Sequence, residues 1–573
     1  MKVVYRLVLY GLMYVFTIQK LSAQDIEQMA QSKPVQLRGG IDVRGIFYKA
    51  TGIVNRYPSS SLLTSGNMDF QVYGWSMPFA FSLSNKNQQF SQPFNQFGVS
   101  PKYKWITLHA GYRNITYSPF TLAGHAMLGG GADLRPGKFR LGFMYGRLNK
   151  ATVVDTLTQA LTPVAYTRKG MAARIGYGTD QNFFEISLLK AADDSRSLKV
   201  NKLKYDSSIL PNAFPSENVV TGISNRFTIA KKLVFESNAA VSVYTRDVNS
   251  PMPADSAGYT GIIKSLERMI RVNGSTDLST AWNAAIAWKE KYYQLKIQYR
   301  RIDPNFKSMG AYFLNTDVEN YTFAPSFHAF KNKLRFNGSI GFQNDNLDKN
   351  KKSTSKKVIG SANVGADITA RLGVDLNYSN YSINQQPNTT LFADTLKITQ
   401  TTYNLSLAPR YIILREALSH MILLSVNYMK LNDFNTAYTG NQAARTLNNL
   451  NMIGGYQLRL NRTNTGIGAT LNYTILKSEL LKDKNYGITL NGDQSFLKNK
   501  WTTRAAVSLL KTERDNASGM LINSSVSTKY RLFKQHFVSM QGFLISSNPR
   551  SSTSALLRKY TELRVEAGYN FNF

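Results

Sequence analysis

Apolar and polar side chains alternate along most of this chain, and no long apolar run accompanies the alternation. Hydrophobic residues make up 43% of the sequence and aromatic residues 12%. Beyond Gln24, no stretch approaches the roughly 20 apolar residues that a membrane-spanning helix needs. Successive side chains of a β-strand point to opposite faces. The sequence therefore predicts strands with one apolar and one polar face, which is the pattern of a transmembrane β-barrel.

One hairpin shows the pattern in full. Apolar side chains occupy alternate positions over residues 282–288, the turn 289–291 follows, and a second alternating run covers residues 293–299. Similar runs cover residues 139–145, 334–342 and 372–378. Single-chain barrels of this kind use an even number of strands. We predict an all-β, transmembrane antiparallel up-and-down β-barrel of about 24 strands, within a range of about 22 to 26.

Connections between these runs alternate in length. The short ones cover residues 178–182, 231–232, 289–291, 331–333, 370–371, 462–465, 497–500 and 534–535. The long ones cover residues 194–216, 248–273, 303–316, 344–356, 385–394, 435–445 and 548–559. Outer-membrane barrels have short periplasmic turns and longer extracellular loops. The two sets are therefore predicted to lie at opposite ends of the barrel.

The two ends of the chain predict the same location. A basic n-region, an apolar h-region over residues 7–18 and the triplet 21–23 before Gln24 predict a secretory signal peptide. At the other end, the spacing of Glu566, Gly568, Phe571 and Phe573 resembles the C-terminal β-signal by which outer-membrane proteins are recognised for insertion. We predict a signal peptide at 1–23, a short luminal or periplasmic segment at 24–67 and a barrel at 68–573. Residues 35–48 also have strand character without a clear place, and Pro78 predicts a bulge or a shorter strand, because proline cannot donate a ladder hydrogen bond.

Width and charge bear on what this barrel does. About 24 strands would enclose a cylinder on the order of 50 Å across, which side chains alone cannot fill. Infolded loops, a flattened cross-section, residues 24–67 or another protein must narrow the lumen. Residues 24–67 are too short to resemble the plug of a TonB-dependent receptor.

The chain has 69 Lys plus Arg against 35 Asp plus Glu. Bases assigned to the lumen are Arg113, Arg140, Arg174, Lys296, Arg300, Arg335, Arg410, Arg459 and Arg564. They predict an anion preference, unless they are paired or face an acidic partner.

A second basic group lies in a predicted extracellular loop. It consists of Lys349, Lys351, Lys352, Lys356 and Lys357. Phosphates of lipopolysaccharide are natural counterions for such a group, and an ordinary solvated loop is the simpler alternative. A secreted, Phe-terminated chain argues against a nucleic-acid partner. The basic periplasmic turns would fit anionic peptidoglycan or a lipoprotein.

Catalytic and metal-binding patterns are weak. The chain has no Cys and five His, and no metal-ligand spacing is present, so no cofactor is predicted. Only His109 and His125 could converge, near Tyr117 and Ser118, as in barrels that have Ser/His or Asp/His pairs on the wall. Two hydrogen-bonded luminal histidines are the simpler interpretation. Residues 129–131 are three glycines without a phosphate-loop motif, so small residues within a strand explain them better.

Several motifs carry a family resemblance. They lie at residues 73–79, 92–96, 100–105, 117–125 and 300–304, the last followed by residues 314–321. This pattern resembles that of uncharacterised large outer-membrane barrels of Bacteroidota. The resemblance implies the fold and the membrane, and it supplies no substrate or catalytic residue.

The predicted function is a non-enzymatic pore or channel for polar, anionic solutes in the outer membrane of a Gram-negative bacterium. The alternative is a structural or accessory subunit of an outer-membrane assembly, secretion or uptake complex. Predicted partners are outer-membrane lipid and lipopolysaccharide, the insertion machinery, and a lipoprotein or another barrel subunit.

Overall fold

A computed structural model describes twelve ranges of the chain. They are residues 35–85, 96–151, 165–197, 214–250, 269–311, 314–350, 356–385, 398–433, 446–478, 481–515, 517–550 and 558–573. The predicted signal peptide, Lys351 and Lys352 lie outside these ranges. In the described part of the chain, no helix is both long enough and apolar enough to cross a membrane.

The described residues form strands throughout. In chain order the strands are β1 (Val35–Thr51), β2 (Ser60–Val72), β3 (Trp75–Ser84), β4 (Gln96–Val99), β5 (Lys102–Tyr103), β6 (Ile106–Asn114), β7 (Leu122–Ala123), β8 (Ala126–Leu134), β9 (Phe139–Asn149), β10 (Thr167–Gly178), β11 (Phe183–Asp194), β12 (Glu217–Ile229), β13 (Leu233–Thr245), β14 (Thr276–Lys289), β15 (Tyr293–Ile302), β16 (Gly310–Ala311), β17 (Val318–Ala329), β18 (Leu334–Asn344), β19 (Lys356–Asp367), β20 (Leu372–Gln385), β21 (Ile398–Leu414), β22 (Leu418–Asp433), β23 (Thr446–Leu460), β24 (Thr465–Lys477), β25 (Lys482–Phe496), β26 (Trp501–Arg514), β27 (Ala517–Arg531), β28 (His536–Pro549) and β29 (Tyr560–Asn572).

Neighbouring strands pair antiparallel, and the first strand closes the sheet against the last. Strand β1 pairs with β2 on one side and with β29 on the other, where Phe47 lies opposite Val565. The backbones of Gly39 and Phe573 exchange hydrogen bonds of 3.1 and 3.0 Å at this seam. Because β4 and β5 are two halves of one strand, the closed barrel has 26 strands. The all-β barrel is confirmed, at the upper end of the predicted range.

The position of the N-terminal segment differs from the prediction. Residues 24–67 were expected to precede the barrel, whereas β1 and most of β2 lie within that span and belong to the wall. Without β1, the outer edge of β29 would have no partner, and unpaired backbone groups are costly in lipid. A boundary at residue 68 and a luminal position for residues 35–48 are therefore wrong.

Alternating exposure identifies the two faces of the wall. On β9, the outward Phe143 and Tyr145 are 50% and 55% exposed, whereas the inward Met144 is fully buried. On β24, the outward Ile467 and Leu471 are exposed. On β29, the apolar residues 563, 565, 567, 569 and 571 share the outward side, as the sequence predicts. The exposed surface of the cylinder is thus apolar, as lipid requires.

The short turns lie at one end of the cylinder, and the described strand ends that flank the long connections lie at the other, as predicted. We call these the short-turn end and the long-connection end. Pro78 lies inside the continuous strand β3, opposite the break between β4 and β5. The Ser100 amide at that break donates to the Pro78 carbonyl at 3.1 Å. The interruption expected at Pro78 therefore falls on the neighbouring strand.

Two long connections fold into the lumen. We call them the infolded segments, residues 115–125 and the described residues 303–311 and 314–317. Their strands β7 and β16 pair in parallel. Phe120 and Leu122 from the first segment, and Phe306 and Met309 from the second, are buried in one apolar cluster with inward side chains of β8 to β17. The connection 303–316 was predicted as an extracellular loop, and its described residues pack inward because this apolar surface would otherwise face water.

Small side chains on the inner wall make room for the infolded segments. A Cβ added at Gly142 would lie 2.9 Å from the Tyr117 ring, and one added at Gly222 would lie 2.9 Å from the Thr121 methyl group. Ala172, Ala240 and Ala281 line the same cluster. Residues 129–131 lie within β8, so the interpretation of these glycines as small residues in a strand is confirmed.

Removing one buried ring tests this inner core. Phe120 is 2% exposed and packs edge to face against Phe306, with ring centres 6.0 Å apart. We expect Phe120→Ala to destabilise the docking of residues 115–125 by about 3 to 5 kcal/mol, because it leaves a cavity. Hydrogen exchange of this segment should accelerate accordingly. The matched control Phe143→Ala removes an outward ring and should leave the exchange of this segment unchanged, and equal effects of the two variants would contradict the inward packing.

Candidate functional site: the barrel lumen

The lumen wall has two unlike sectors. The covered sector comprises β6 to β17, over which the infolded segments pack. The bare sector comprises β18 to β29 with β1 to β3. One continuous row across the bare sector consists of Asn363, Asn377, Ser406, Asn427 and Asn451, each directly opposite the next. Amide and hydroxyl groups both donate and accept hydrogen bonds without carrying charge. This row therefore offers a neutral, hydrophilic surface near the middle of the wall.

The covered sector has a buried ion cluster toward the short-turn end. Glu185 is hydrogen-bonded to Arg140 and lies 3.8 Å from Arg174. Arg174 also contacts Asp133 at 2.8 Å, and Arg140 contacts Asp180 at 2.7 Å. The hydrogen bond from Arg140 lowers the pKa of the Asp180 carboxyl, which lies in the turn after β10. Both arginine side chains are less than 10% exposed, so mutual neutralisation of these groups is what makes their burial tolerable.

A Ser–His–Asp row adjoins this cluster. Ser100 Oγ lies 2.8 Å from His109 Nδ1, and His109 Nε2 lies 3.1 Å from Asp133 Oδ2. Ser100 is only 5% exposed, and its amide is bonded to Pro78 at the break between β4 and β5. Asp133 also accepts a hydrogen bond from Arg174. The row ties the interrupted strand to β6 and β8, because each of its three members lies on a different strand.

His125 does not join His109. Asn114 lies opposite Ala126 and His109 opposite Gly131, so the two histidines are about six strand positions apart, or roughly 20 Å. The two histidines therefore do not converge, and each has hydrogen-bond partners of its own, which is the simpler of the two interpretations that the sequence allows. His125 is 1% exposed, and its Nδ1 lies 3.0 Å from the Ala126 carbonyl. Burial lowers the pKa of His125 to about 4, and burial raises the pKa of the nearby Tyr117 hydroxyl.

The nine predicted luminal bases all lie on the side of their strands away from the exposed apolar residues. Six of them are ion-paired. Besides Arg140 and Arg174, these pairs are Arg335 and Arg410 with Asp367, Arg410 with Asp375, Arg459 with Asp493, and Arg564 with Glu566. Arg113, Lys296 and Arg300 have no carboxylate within 4.0 Å among the described residues. Most of these bases are therefore paired with carboxylates, which is one of the alternatives that the sequence left open.

The other predicted sites lie in the following places. Glu566 and Gly568 face the lumen on β29, and Phe571 faces outward with its ring centre 5.2 Å from that of Phe573. Lys349 lies in the connection after β18, and Lys356 and Lys357 begin β19. In the described ranges, no group of three or more His, Asp and Glu side chains could hold a metal ion.

Sequence reasoning missed two features of the lumen. The first is the inner apolar core, which the run of inward glycines and alanines on β8 to β14 could have indicated. The second is a pair of inward bases, Arg504 on β26 and Lys529 on β27. The sequence could have placed both bases inward, because each lies an odd number of positions from an outward-facing valine of its own strand, Val507 or Val526.

Comparison with known proteins gives only architectural likeness. No protein-family model matches the chain, and no curated protein matches it. The P pilus usher (PapC) translocation pore aligns with 94% of this chain and 99% of its own, at 10% identity and a TM-score of 0.37. The FrpB iron transporter of Neisseria meningitidis aligns over 96% and 83%, at 10% identity and a TM-score of 0.39. OccK8 of Pseudomonas aeruginosa aligns over 71% and 98%, at 9% identity and a TM-score of 0.29. Likeness this low carries no argument about cargo.

The class of the protein follows from its own strands. A closed antiparallel cylinder with an even strand number satisfies every wall backbone group, and its apolar exterior needs lipid around it. Its inner face is polar in the bare sector, and its short turns share one end. The chain is therefore a large transmembrane β-barrel of the outer-membrane type.

Removing the central carboxylate tests the ion cluster. Glu185→Gln leaves two buried guanidinium groups with one fewer counter-charge, so we expect a loss of about 3 to 5 kcal/mol in the free energy of unfolding. Urea titration in detergent micelles would measure it. Glu290→Gln is the control, because Glu290 pairs with Lys232 in an exposed position, and we expect no measurable change there. Equal effects of both substitutions would contradict the buried role.

Acid should loosen the first infolded segment through His125. The folded pKa of about 4 lies below the ordinary value of 6.5, so the undocked state binds the proton more readily. Stability is therefore lost as the pH falls from about 6.5 to about 4, by a limiting value of about 3 kcal/mol. We expect hydrogen exchange of residues 115–125, corrected for intrinsic rates, to accelerate over this window. His125→Gln should remove that part of the pH dependence, and an unchanged dependence would contradict it.

Proposed function

We propose that this protein is an outer-membrane pore for polar solutes, with a modest preference for anions. The observation that carries the proposal is the unlike lining of the two sectors. The infolded segments cover an apolar inner wall, whereas the bare sector presents rows of amides, hydroxyls and paired charges. A hydrophilic wall on one side of a partly filled cylinder is suited to passing hydrated solutes along it.

The expected anion preference is smaller than the number of luminal bases suggests. An arginine that is already bonded to a carboxylate contributes little net field. The bases without a carboxylate partner among the described residues are the ones that would attract anions. Among the nine predicted bases these are Arg113, Lys296 and Arg300, and all three are partly exposed. The preference should therefore depend on few residues and weaken with added salt.

The width of the barrel favours a second candidate, an accessory subunit of an outer-membrane complex. Twenty-six strands enclose a cylinder on the order of 50 Å across, and the infolded segments contact one sector of its wall. Another protein could occupy the remaining space. Extraction in a mild detergent, followed by identification of bound subunits, would support this candidate if a stable partner were found.

Three finer proposals come from the sequence. The motifs within residues 70–147 favour a Bacteroidota type of barrel. The spacing of Glu566, Gly568, Phe571 and Phe573 favours recognition by the insertion machinery. The lysines around Lys349 favour contact with lipopolysaccharide phosphates.

Planar-bilayer recording tests the pore directly. We expect the purified protein to conduct, with a higher permeability for chloride than for potassium at low salt. Lys296→Gln should lower this permeability ratio by about twofold or less, because one unpaired luminal charge is removed. The control Lys291→Gln removes a base from a short turn and should leave the ratio unchanged. Absence of conductance would exclude the pore and leave the accessory-subunit candidate.

A further inference from the structure

A concavity of about 450 Å³ lies on the inner wall near the short-turn end. It is formed by β26 to β29 and β1, on both sides of the strand that ends the barrel. Its volume lies in the range of small-molecule sites. This part of the wall belongs to the bare sector, so the infolded segments do not cover it.

A glycine lies beside this concavity. Thr502, Lys529, Ser539 and Gly568 lie opposite one another in a row across four strands. A Cβ added at Gly568 would lie 2.7 Å from Ser539 Oγ, so a larger side chain there would crowd this lining residue. The next row toward the long-connection end contains Arg504, Ser527 and Gln541. The row toward the short-turn end contains Phe537, Asn570 and Asp42.

The charge within the concavity is positive. Neither Arg504 nor Lys529 has a carboxylate within 4.0 Å in the described part of the chain, and Lys529 Nζ lies 4.5 Å from the centre of the Phe537 ring.

The carboxylates around the concavity are already occupied by other arginines. Asp42 lies 3.4 Å from Arg44, and Glu566 is paired with Arg564. Asp493, which is opposite Arg504 in the register, lies 3.2 Å from Arg459. The lining therefore has two positive charges, Arg504 and Lys529, against one carboxylate, Asp42, which Arg44 already engages.

We propose that this concavity binds a small polyhydroxylated anion, such as a sugar that carries a phosphate or a carboxylate. Arg504 and Lys529 would hold the oxyanion, since charge-assisted hydrogen bonds are the strongest available there. Gln541, Asn570 and Ser539 supply donors and acceptors for hydroxyl groups. Phe537 supplies an apolar face at the edge of the hollow. The inference rests on the proposed pore and makes this concavity a binding station for its solute.

Calorimetry on the full-length protein in detergent tests the site. The probes are glucose 6-phosphate, glucuronate, glucose and inorganic phosphate. We expect the wild type to bind glucose 6-phosphate or glucuronate at least about tenfold more tightly than glucose or phosphate. Only the anionic sugars can use both the basic side chains that hold the oxyanion and the polar side chains that bind hydroxyl groups. The better of the two anionic sugars identifies the oxyanion. The double variant Arg504→Gln with Lys529→Gln should raise its Kd by about tenfold or more.

Lys291→Gln is the control, because it removes a base from a short turn outside the concavity. It should leave the Kd unchanged, and heat-modifiable gel mobility of each variant verifies that the barrel is folded. Undetectable binding by the wild type, or equal Kd values for the wild type and the double variant, would overturn the site. An equal loss in Lys291→Gln would also overturn it, since the effect would then be a general field.

The outcome for the pore is read separately. Conductance in planar bilayers with no saturable binding removes the site and keeps the pore. Specific binding without conductance keeps the site and removes the pore.

Discussion

The requirement that every backbone donor and acceptor be bonded inside lipid governs this structure. A sheet of this size has two edges, and in a bilayer each would expose a row of unpaired groups at a cost of several kcal/mol per group. Strand β1 removes both edges at once by pairing with β2 and β29. Three features follow from this closure. They are the even strand number, the position of Val35 and Phe573 at the short-turn end, and the separation of an apolar exterior from an inner surface.

Closure creates a second problem, which the two sectors of the wall solve differently. A wide cylinder cannot be filled by its own inward side chains. In the covered sector, inward glycines and alanines admit the infolded segments, and buried arginines pair with carboxylates around Glu185. In the bare sector, the inward residues include neutral amides and hydroxyls, arginine–carboxylate pairs at the short-turn end, and the bases Arg504 and Lys529 of the concavity. One molecule thus combines a packed interior with a polar inner wall.

Period-two alternation made the barrel, the outward face of β29 and the positions of the short turns predictable, because these depend on local parity and turn length. The closing role of β1 could not be predicted, because the pairing of Ile41 with Phe571 is set by topology and has no local sequence pattern. The inward course of residues 303–311 was missed for a similar reason, since a polar connection and a docked one differ only in a few residues such as Phe306 and Met309. Parity placed the nine luminal bases inward, but pairing partners such as Asp367 lie on other strands and could not be read from spacing.

The unequal thickness of the wall has a mechanical consequence. Where the infolded segments are bonded to β11 to β13 through contacts such as Thr121 with Ser187, Met309 with Asn218 and Lys307 with Ser242, bending the sheet would disrupt a packed interior. In the described part of the chain, the opposite arc is a single layer whose curvature is resisted by its own ladder. Lateral pressure from the bilayer should therefore distort the cylinder unevenly. The bare sector should flatten, whereas the covered sector should keep its curvature.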